Sequence, residues 1–442
     1  MKLNLSYRDA VAHLSARGPG IRPGIERIRS IVDLLGDPQS SFQTIHLTGT
    51  NGKTSTARIA AAILAAHGIK TGVYTSPHLQ SIRERFVLTG VGSTGIVTEM
   101  ITKEGFATAY SYLLPFIETV EDRLGQGVTY FEATTALAYE WMSSQTVDAG
   151  VVEVGLGGRW DATNVANAAV AVLTTVGVDH AEFLGSTPAL IAEEKSGIIK
   201  PGSQVVSGPQ SLPVQDVIQA AADAVGAQIC LFDRDFSVAK DLVAIGGRSV
   251  SVEGLHGTYD DLFLPLLGPY QSINLATAIA ATESFTGRAL DQTSLEVGLA
   301  TVASPGRMEV VGRAPLVVID GAHNPDAART LASSLQPTFG DRKVTFVIAT
   351  FADKDSEGIV EALSDVANRM IFTAMESERS VSDPDVLAKL VNTTKIQVEV
   401  IETLDNAIDR AIETSEQEDL IVFAGSVHGA GQVRDHLVGT ID

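Results

Sequence analysis

The chain has 442 residues with 32 basic and 53 acidic side chains, a formal charge of −21, and 45% of its residues are hydrophobic. That length and apolar content support two or more domains of roughly 100–200 residues, each with its own core, whereas an acidic excess opposes the basic face on which nucleic-acid binders rely. The single cysteine, Cys230, excludes an internal disulfide or a multi-cysteine metal site, and with no leader-like apolar segment and no run near ~18 apolar residues, a cytoplasmic chain without membrane contact is expected.

In chain order, the segment Gly18–Arg29 carries Arg22 and Pro23, and the β-branched run Thr44–Leu47 enters the glycine turn Gly49–Thr54 and an alanine-rich helix over Ala57–Ala66. The loop Thr75–Arg85 brings Ser76, Pro77, His78, Arg83 and Arg85. Val151–Val154 then enters Gly155–Gly158, Val170–Val176 enters a loop with Asp179 and His180, and Glu193–Ile198 reads as a helix end carrying Lys195. The rhythm restarts at Leu316–Asp320, followed by Gly321-Ala322-His323-Asn324-Pro325 and a helix, then by strand-like Val344–Ala349, Met370–Thr373, Gln397–Val400 and Leu420–Phe423. Short apolar runs alternating with glycine turns and amphipathic helices predict α/β domains with mostly parallel sheets. Each run ends on polar residues, which in open α/β sheets gather in a crevice beyond the strands' carboxyl ends. Ser304-Pro305-Gly306 punctuates two periodic regions, so domains are expected over 1–303 and 304–442. The second, with 12 basic and 23 acidic residues, is the more acidic per residue.

Leu47-Thr48-Gly49-Thr50-Asn51-Gly52-Lys53-Thr54 lies between a strand and a helix, the setting of a nucleoside-triphosphate loop. Glycines let backbone N–H groups turn toward phosphate oxygens, the helix N-terminus adds its positive end, Lys53 supplies a cation, and Thr54 offers a hydroxyl to Mg²⁺. Leu47 stands where the general Gly-x4-Gly-Lys-Thr pattern has its first glycine, which implies a shorter loop. Glu153, at a strand end near that loop, is costly to bury unless it meets a cation. Glu153, the hydroxyls of Thr54 and Ser76, and phosphate together form the hard oxygen set that Mg²⁺ prefers. Arg307 beside the hinge, and Asp320, His323 and Asn324 after Leu316–Ile319, repeat the strand-end pattern on the second domain. A guanidinium facing a triphosphate offsets charge that develops in phosphoryl transfer, and closure about residue 303 would exclude water. Asp320–Pro325 also reads as an Asx turn opening a helix. Taken singly, His180 is more often a packed or surface histidine, and Lys195 and the loop arginines more often solvated.

Gly49-Thr50-Asn51-Gly52-Lys53-Thr54 resembles the ATP loop of the Mur ligase family. The stretches Gly20–Ile28, Thr75–Leu79, Thr129–Glu132, Glu153–Asn164, Val178–His180, Glu194–Ile198, Pro305–Glu309 and Asp320–Pro325 are similar to motifs of its folylpolyglutamate synthase and dihydrofolate synthase branch, over nearly the whole chain. The resemblance implies a P-loop ATPase domain with a central, mostly parallel sheet and a smaller, Rossmann-like C-terminal α/β domain. It implies that residues matching Ser76, Glu153 and His180 hold two magnesium ions, and that Lys195 is carbamylated into a metal-binding carboxylate, which requires an amine of lowered proton affinity. It places Asn274, Arg307 and Asp320 around the nucleotide with His323 close by, so that Lys53, His180, Lys195, Arg307 and His323 are the catalytic candidates. Arg22, Ser76, Pro77, His78, Arg83, Phe131 and Asp161 are the substrate candidates. Phe131 suits either pterin stacking or a core. Asp161-Ala162-Thr163-Asn164 looks like the form in bacterial enzymes that use dihydropteroate as well as reduced folates, although Trp160 stands where Leu is common.

The expected activity is ATP- and Mg²⁺-dependent joining of L-glutamate to dihydropteroate or reduced folates through an acyl phosphate, by a monomer with neither nucleic acid nor membrane as partner. A Mur ligase acting on a UDP-sugar and a non-catalytic nucleotide switch are the alternatives. The Gly20–Ile28 and Thr75–Leu79 motifs disfavour the first. Against the second stand the lack of an Asn-Lys-x-Asp guanine signature and the joint presence of Glu153, His180 and Lys195.

Overall fold

The computed structural model describes residues 4–441 except 19, 21, 94, 378, 382 and 392–394; two residues of the Gly18–Arg29 segment, Pro19 and Ile21, lie outside the described set. The first sheet contains β1 (Gln43–Thr48), β2 (Thr71–Tyr74), β3 (Phe86–Gly92), β4 (Gly95–Met100), β5 (Ala149–Glu153), β6 (Val170–Leu173), β7 (Gln204–Ser207) and β8 (Gln228–Leu231). Its order is β4-β3-β2-β5-β1-β6-β7-β8, parallel from β2 to β8 and antiparallel at the β3 and β4 edge. The chain crosses from one side of β1 to the other between β5 and β6, which opens the crevice beyond β1, β5 and β6.

The central strands are buried on both faces, so they read as continuous apolar runs. Alternation then divides them. Ile45, Leu47, Val73, Val151 and Val172 pack with the helices Lys53–Ala66 and Tyr270–Thr286. Tyr74 and Val152 pack with Lys103–Leu124 and Tyr130–Ser144. A small antiparallel sheet of β9 (Ser237–Ala244), β10 (Gly247–Glu253) and β11 (Thr258–Leu264), ordered β11-β10-β9, adds Val250, Val252, Tyr259 and Leu262 to the first of these cores.

A third sheet contains β12 (Glu309–Arg313), β13 (Leu316–Ile319), β14 (Val344–Ile348), β15 (Arg369–Ala374), β16 (Gln397–Thr403) and β17 (Leu420–Ala424), in the order β12-β13-β17-β14-β15-β16 with antiparallel pairing at β12. Val318, Phe346 and Phe372 face the helices Pro325–Phe339 and Ser356–Ser364, while Val317, Ile371 and Phe423 face Leu404–Thr414 and Val427–Val438. The fold is therefore α/β with mostly parallel sheets. Leu79, from the loop after β2, is buried in the core of this third sheet.

Some boundaries differ from the sequence pattern. The first long helix begins at Lys53 rather than Ala57, and β6 stops at Leu173. Beyond it the backbone turns to pair with the glycine loop, Thr174 N–H donating to the Thr48 carbonyl at 2.8 Å and Thr50 N–H to the Thr175 carbonyl at 2.8 Å. Among the described residues, no helix is long and apolar enough to cross a membrane.

Candidate active site

The phosphate loop follows from where β1 stops. Gly52 caps the helix Lys53–Ala66 at φ +89, a left-handed conformation that glycine adopts without steric cost, and a Cβ there would stand 2.5 Å from Asn274 Oδ1. Thr50 Oγ1 donates to the Gly177 carbonyl at 2.9 Å and accepts from Gly177 N–H at 3.0 Å, which ties the glycine loop to the segment after β6. The half-buried Lys53 donates to the carbonyls of Gly49 and Thr50, both at 3.0 Å; burial lowers its proton affinity, opposed by the charges of Glu153 and Asp179.

Glu153 ends β5 and is 1% exposed. The Thr54 hydroxyl lies 3.0 Å from each of its oxygens, and Ser76 N–H donates to Oε2 at 3.2 Å. Burial raises its pKa, against the charge of Lys53 and the bonds from Ser76 and Thr54. A desolvated carboxylate flanked by two hydroxyl residues suits a hard divalent cation. Among the described residues, no three His, Cys, Asp or Glu side chains form a preformed metal cage. His180 opens a short helix, Ala181–Leu184, at φ +51. Burial lowers it to about 4, with Asp179 opposing and Lys354, His323 and Lys53 adding, so its ring is neutral at neutral pH.

Lys195 closes the helix Pro188–Lys195, is 5% exposed, and donates to the Gly49 carbonyl at 2.8 Å. Burial, and then the charge of Lys53, bring it down to about 7. From the other half of the chain, Asp320 is 6% exposed and accepts the N–H groups of Met308 and Ala322 at 2.8 Å each. Burial pushes its carboxyl up, opposed by Arg307. Arg307 donates to the Gly306 carbonyl at 3.1 Å. His323 Nδ1 contacts the Gly321 carbonyl at 2.7 Å, and Asn324 caps the helix Pro325–Phe339 by accepting from Ala327 N–H at 2.8 Å.

These groups share one cavity of about 320 Å³, whose walls include Gly49, Thr50, Asn51, Gly52, Lys53, Thr54, Ser76, Pro77, Glu153, His180, Lys195, Asn274, Arg307, Asp320 and His323. Tyr270 and Asp179 also line it. The Tyr270 hydroxyl lies 3.5 Å from Asp320 Oδ2, and sequence reasoning gave no signal for it. Lys354 was missed as well, although it follows β14 within Phe351-Ala352-Asp353-Lys354-Asp355 and so carries the strand-end signature used elsewhere.

Arg22, His78, Arg83, Phe131 and Asp161 do not line this cavity. Arg22 is exposed and donates to the Gly127 carbonyl at 3.1 Å. His78 accepts from Arg85 Nε at 2.9 Å and borders a separate pocket with Tyr7, Lys103 and Tyr130. Arg83 sits in the short turn Ile82–Arg85. The Phe131 ring covers the Gly155 backbone, where a Cβ would fall 2.4 Å from it, and packs 6.2 Å from the Tyr74 ring centroid. Asp161 is 3% exposed and is engaged in holding its own loop, accepting Leu156 N–H and Thr163 N–H at 2.9 Å each.

Comparison with known proteins gives this site its context. A family model described as Mur ligase, glutamate ligase domain, matches residues 306–427. The chain is 37% identical to the dihydrofolate synthase/folylpolyglutamate synthase of Mycobacterium tuberculosis over 95% of its own length and 92% of the relative, and 32% identical to the folylpolyglutamate synthase of Lacticaseibacillus casei over 98% and 99%. The structure of M. tuberculosis folylpolyglutamate synthase complexed with ADP superposes with a TM-score of 0.91 at 36% identity, covering 99% of this chain and 98% of that one. A folylpolyglutamate synthase complex with AMPPCP and folate gives 0.82 at 32% identity, covering 98% and 100%. Loop, cavity and whole-chain similarity agree: the chain belongs to the folylpolyglutamate synthase/dihydrofolate synthase family of Mur-type ligases.

Proposed function

We propose that the chain ligates L-glutamate to the carboxylate of dihydropteroate and of reduced folates, using ATP. The observation that carries this reading is the single cavity in which the glycine loop, Glu153 and Lys195 of one half face Arg307, Asp320 and His323 of the other. Similarity to enzymes solved with ADP and with AMPPCP plus folate supports it.

In this reading ATP lies along Gly49–Thr54 with Asn274, Arg307 and Asp320 around the nucleotide. A carboxylate oxygen of the acceptor attacks the γ-phosphorus, ADP leaves, and the glutamate amine then attacks the acyl carbon, releasing phosphate and forming the amide. No side chain serves as nucleophile. Lys53 and Arg307 place positive charge beside the transferring group, and positioning supplies most of the remaining rate. Thr54, Ser76, Glu153 and the neutral ring of His180 would hold magnesium, which when bound neutralises phosphate charge. Lys195 contributes either its amine or, after CO₂ adds to it, a carboxylate directed at the same place.

The domain boundary belongs to this reading too. The third sheet begins at Glu309 and the matched family region at 306, which supports a hinge near 303 with domains 1–303 and 304–442. The cavity is complete within one chain, in keeping with a monomer, and the free Cys230 suits a reducing cytoplasm. The test is ADP release from purified protein with Mg²⁺ and ATP. Release that requires both glutamate and dihydropteroate or tetrahydrofolate is expected, and release independent of acceptor, or supported by a UDP-muramyl acceptor instead, would refute the assignment.

A further inference from the structure

Three side chains from the C-terminal half converge on one carboxylate of the N-terminal half. Lys354 Nζ lies 2.7 Å from Asp179 Oδ1, while Asn324 Nδ2 and His323 Nε2 lie 3.3 and 3.4 Å from Oδ2. The Lys354 and Asp179 side chains are 8% and 12% exposed, so the pair is withdrawn from solvent at the junction between the halves. Asp179 Oδ1 also accepts His180 N–H at 2.8 Å, and Lys354 Nζ sits 3.5 Å from His180 Nε2. None of the chemistry proposed above uses Lys354.

We infer that Lys354 is a positioning residue, the cross-domain latch that holds the 174–180 segment, and His180 with it, in register with Arg307 and Asp320 when the site is closed. This inference rests on the ligase reading. The segment after β6 has no regular structure of its own; backbone bonds of Thr174 and Thr175 to Thr48 and Thr50 fix its start, the Thr50 hydroxyl holds Gly177, and the contacts of Asp179 with the C-terminal half fix its end. An exposed ion pair is worth little, and opening the halves returns both charges to water, but a closed arrangement in which the two miss each other leaves a desolvated charge without its partner. The pair therefore forms only when the halves meet in one register and selects it among closed arrangements, while loss of the Lys354 charge leaves the buried Asp179 carboxylate without that cation and so favours opening. Closure matters because an acyl phosphate is open to water: attack by water on it returns the carboxylate and phosphate, and ATP is consumed without an amide.

Lys354→Met keeps an unbranched side chain one atom shorter and removes the charge; Lys354→Arg keeps the charge. The measurements are ADP released per glutamate incorporated, KM for ATP, thermal midpoint, and small-angle scattering with AMPPCP and Mg²⁺. For Lys354→Met, kcat falls ~10-fold or more while KM for ATP stays within roughly threefold, the ADP-to-glutamate ratio rises severalfold, and scattering shows a more open particle. Lys354→Arg recovers most of the coupling. An active wild type whose Lys354→Met variant keeps the wild-type ratio and scattering profile would overturn the latch. Loss of ligation in both variants with a lowered thermal midpoint would also overturn it, by assigning Lys354 to stability alone. A wild type that incorporates no glutamate would instead refute the ligase reading itself.

Discussion

Lys53 and Lys195 aim their amines at the same acceptor, the Gly49 carbonyl, at 3.0 and 2.8 Å. One carbonyl cannot stabilise two desolvated cations in full, and burial together with the neighbouring Lys53 charge brings Lys195 down to about 7. A lysine with a large neutral fraction at neutral pH is able to add CO₂, which turns a repelling cation into a carboxylate. Lys195→Ala should therefore lose at least ~100-fold in ligase rate, and acetate or another short carboxylic acid should restore part of it. Full activity in the variant would exclude the role.

The pH dependence of that modification has a definite sign. CO₂ adds to the neutral amine, so activation of freshly decarboxylated enzyme by bicarbonate should be strong at pH 8 and fall as pH drops through about 7, because the amine of Lys195 protonates there. In the unmodified protein the folded state holds this proton less tightly than the unfolded chain does. The contribution of Lys195 to stability therefore improves as pH rises from about 7 toward the ordinary 10.5. Bicarbonate activation that strengthens toward pH 6 would contradict this account.

Glu153→Gln separates function from stability. The carboxylate is buried and its pKa is raised, so at neutral pH its charge costs folding energy in the metal-free protein. The glutamine retains an acceptor for Thr54 and Ser76. The metal-free variant should be more stable by ~1 kcal/mol in thermal or denaturant unfolding, yet lose at least ~100-fold in Mg²⁺-dependent ADP release. Lower stability together with retained activity would be the opposite of what the geometry requires.

Asp161 is expected to act first on its loop. Asp161→Ala strands the N–H groups of Leu156 and Thr163 in a site 3% exposed, and should lower the unfolding free energy by ~2 kcal/mol. Asp161→Asn keeps one acceptor oxygen and should recover more than half of that loss. Equal losses in the two variants, measured by urea unfolding, would show that charge rather than hydrogen bonding holds the turn.

Much of this site can be read from residues near one another in sequence. The run ending at Thr48 and its glycine turn place Lys53 and Thr54 on a helix start, and the buried run of β5 delivers Glu153 to the same edge. Lys195 was readable only through its company, because nothing local says that a helix-end lysine will be 5% exposed beneath a phosphate loop. The small sheet β9–β11 was missed because its burial is uneven and irregularities near Val250 and Val252 break the alternation. Tyr270, Lys354 and the docking of Leu79 depend on how distant segments meet, which no local periodicity encodes.

The most direct test of the central claim follows an oxygen atom. Dihydropteroate labelled with ¹⁸O in its carboxylate is incubated with the protein, Mg²⁺, ATP and L-glutamate, and the inorganic phosphate is analysed by mass spectrometry. Transfer through an acyl phosphate breaks the bond between the acyl carbon and the bridging oxygen, so one labelled oxygen should appear in phosphate for each glutamate joined. Phosphate without label, formed alongside the amide product, would contradict the account.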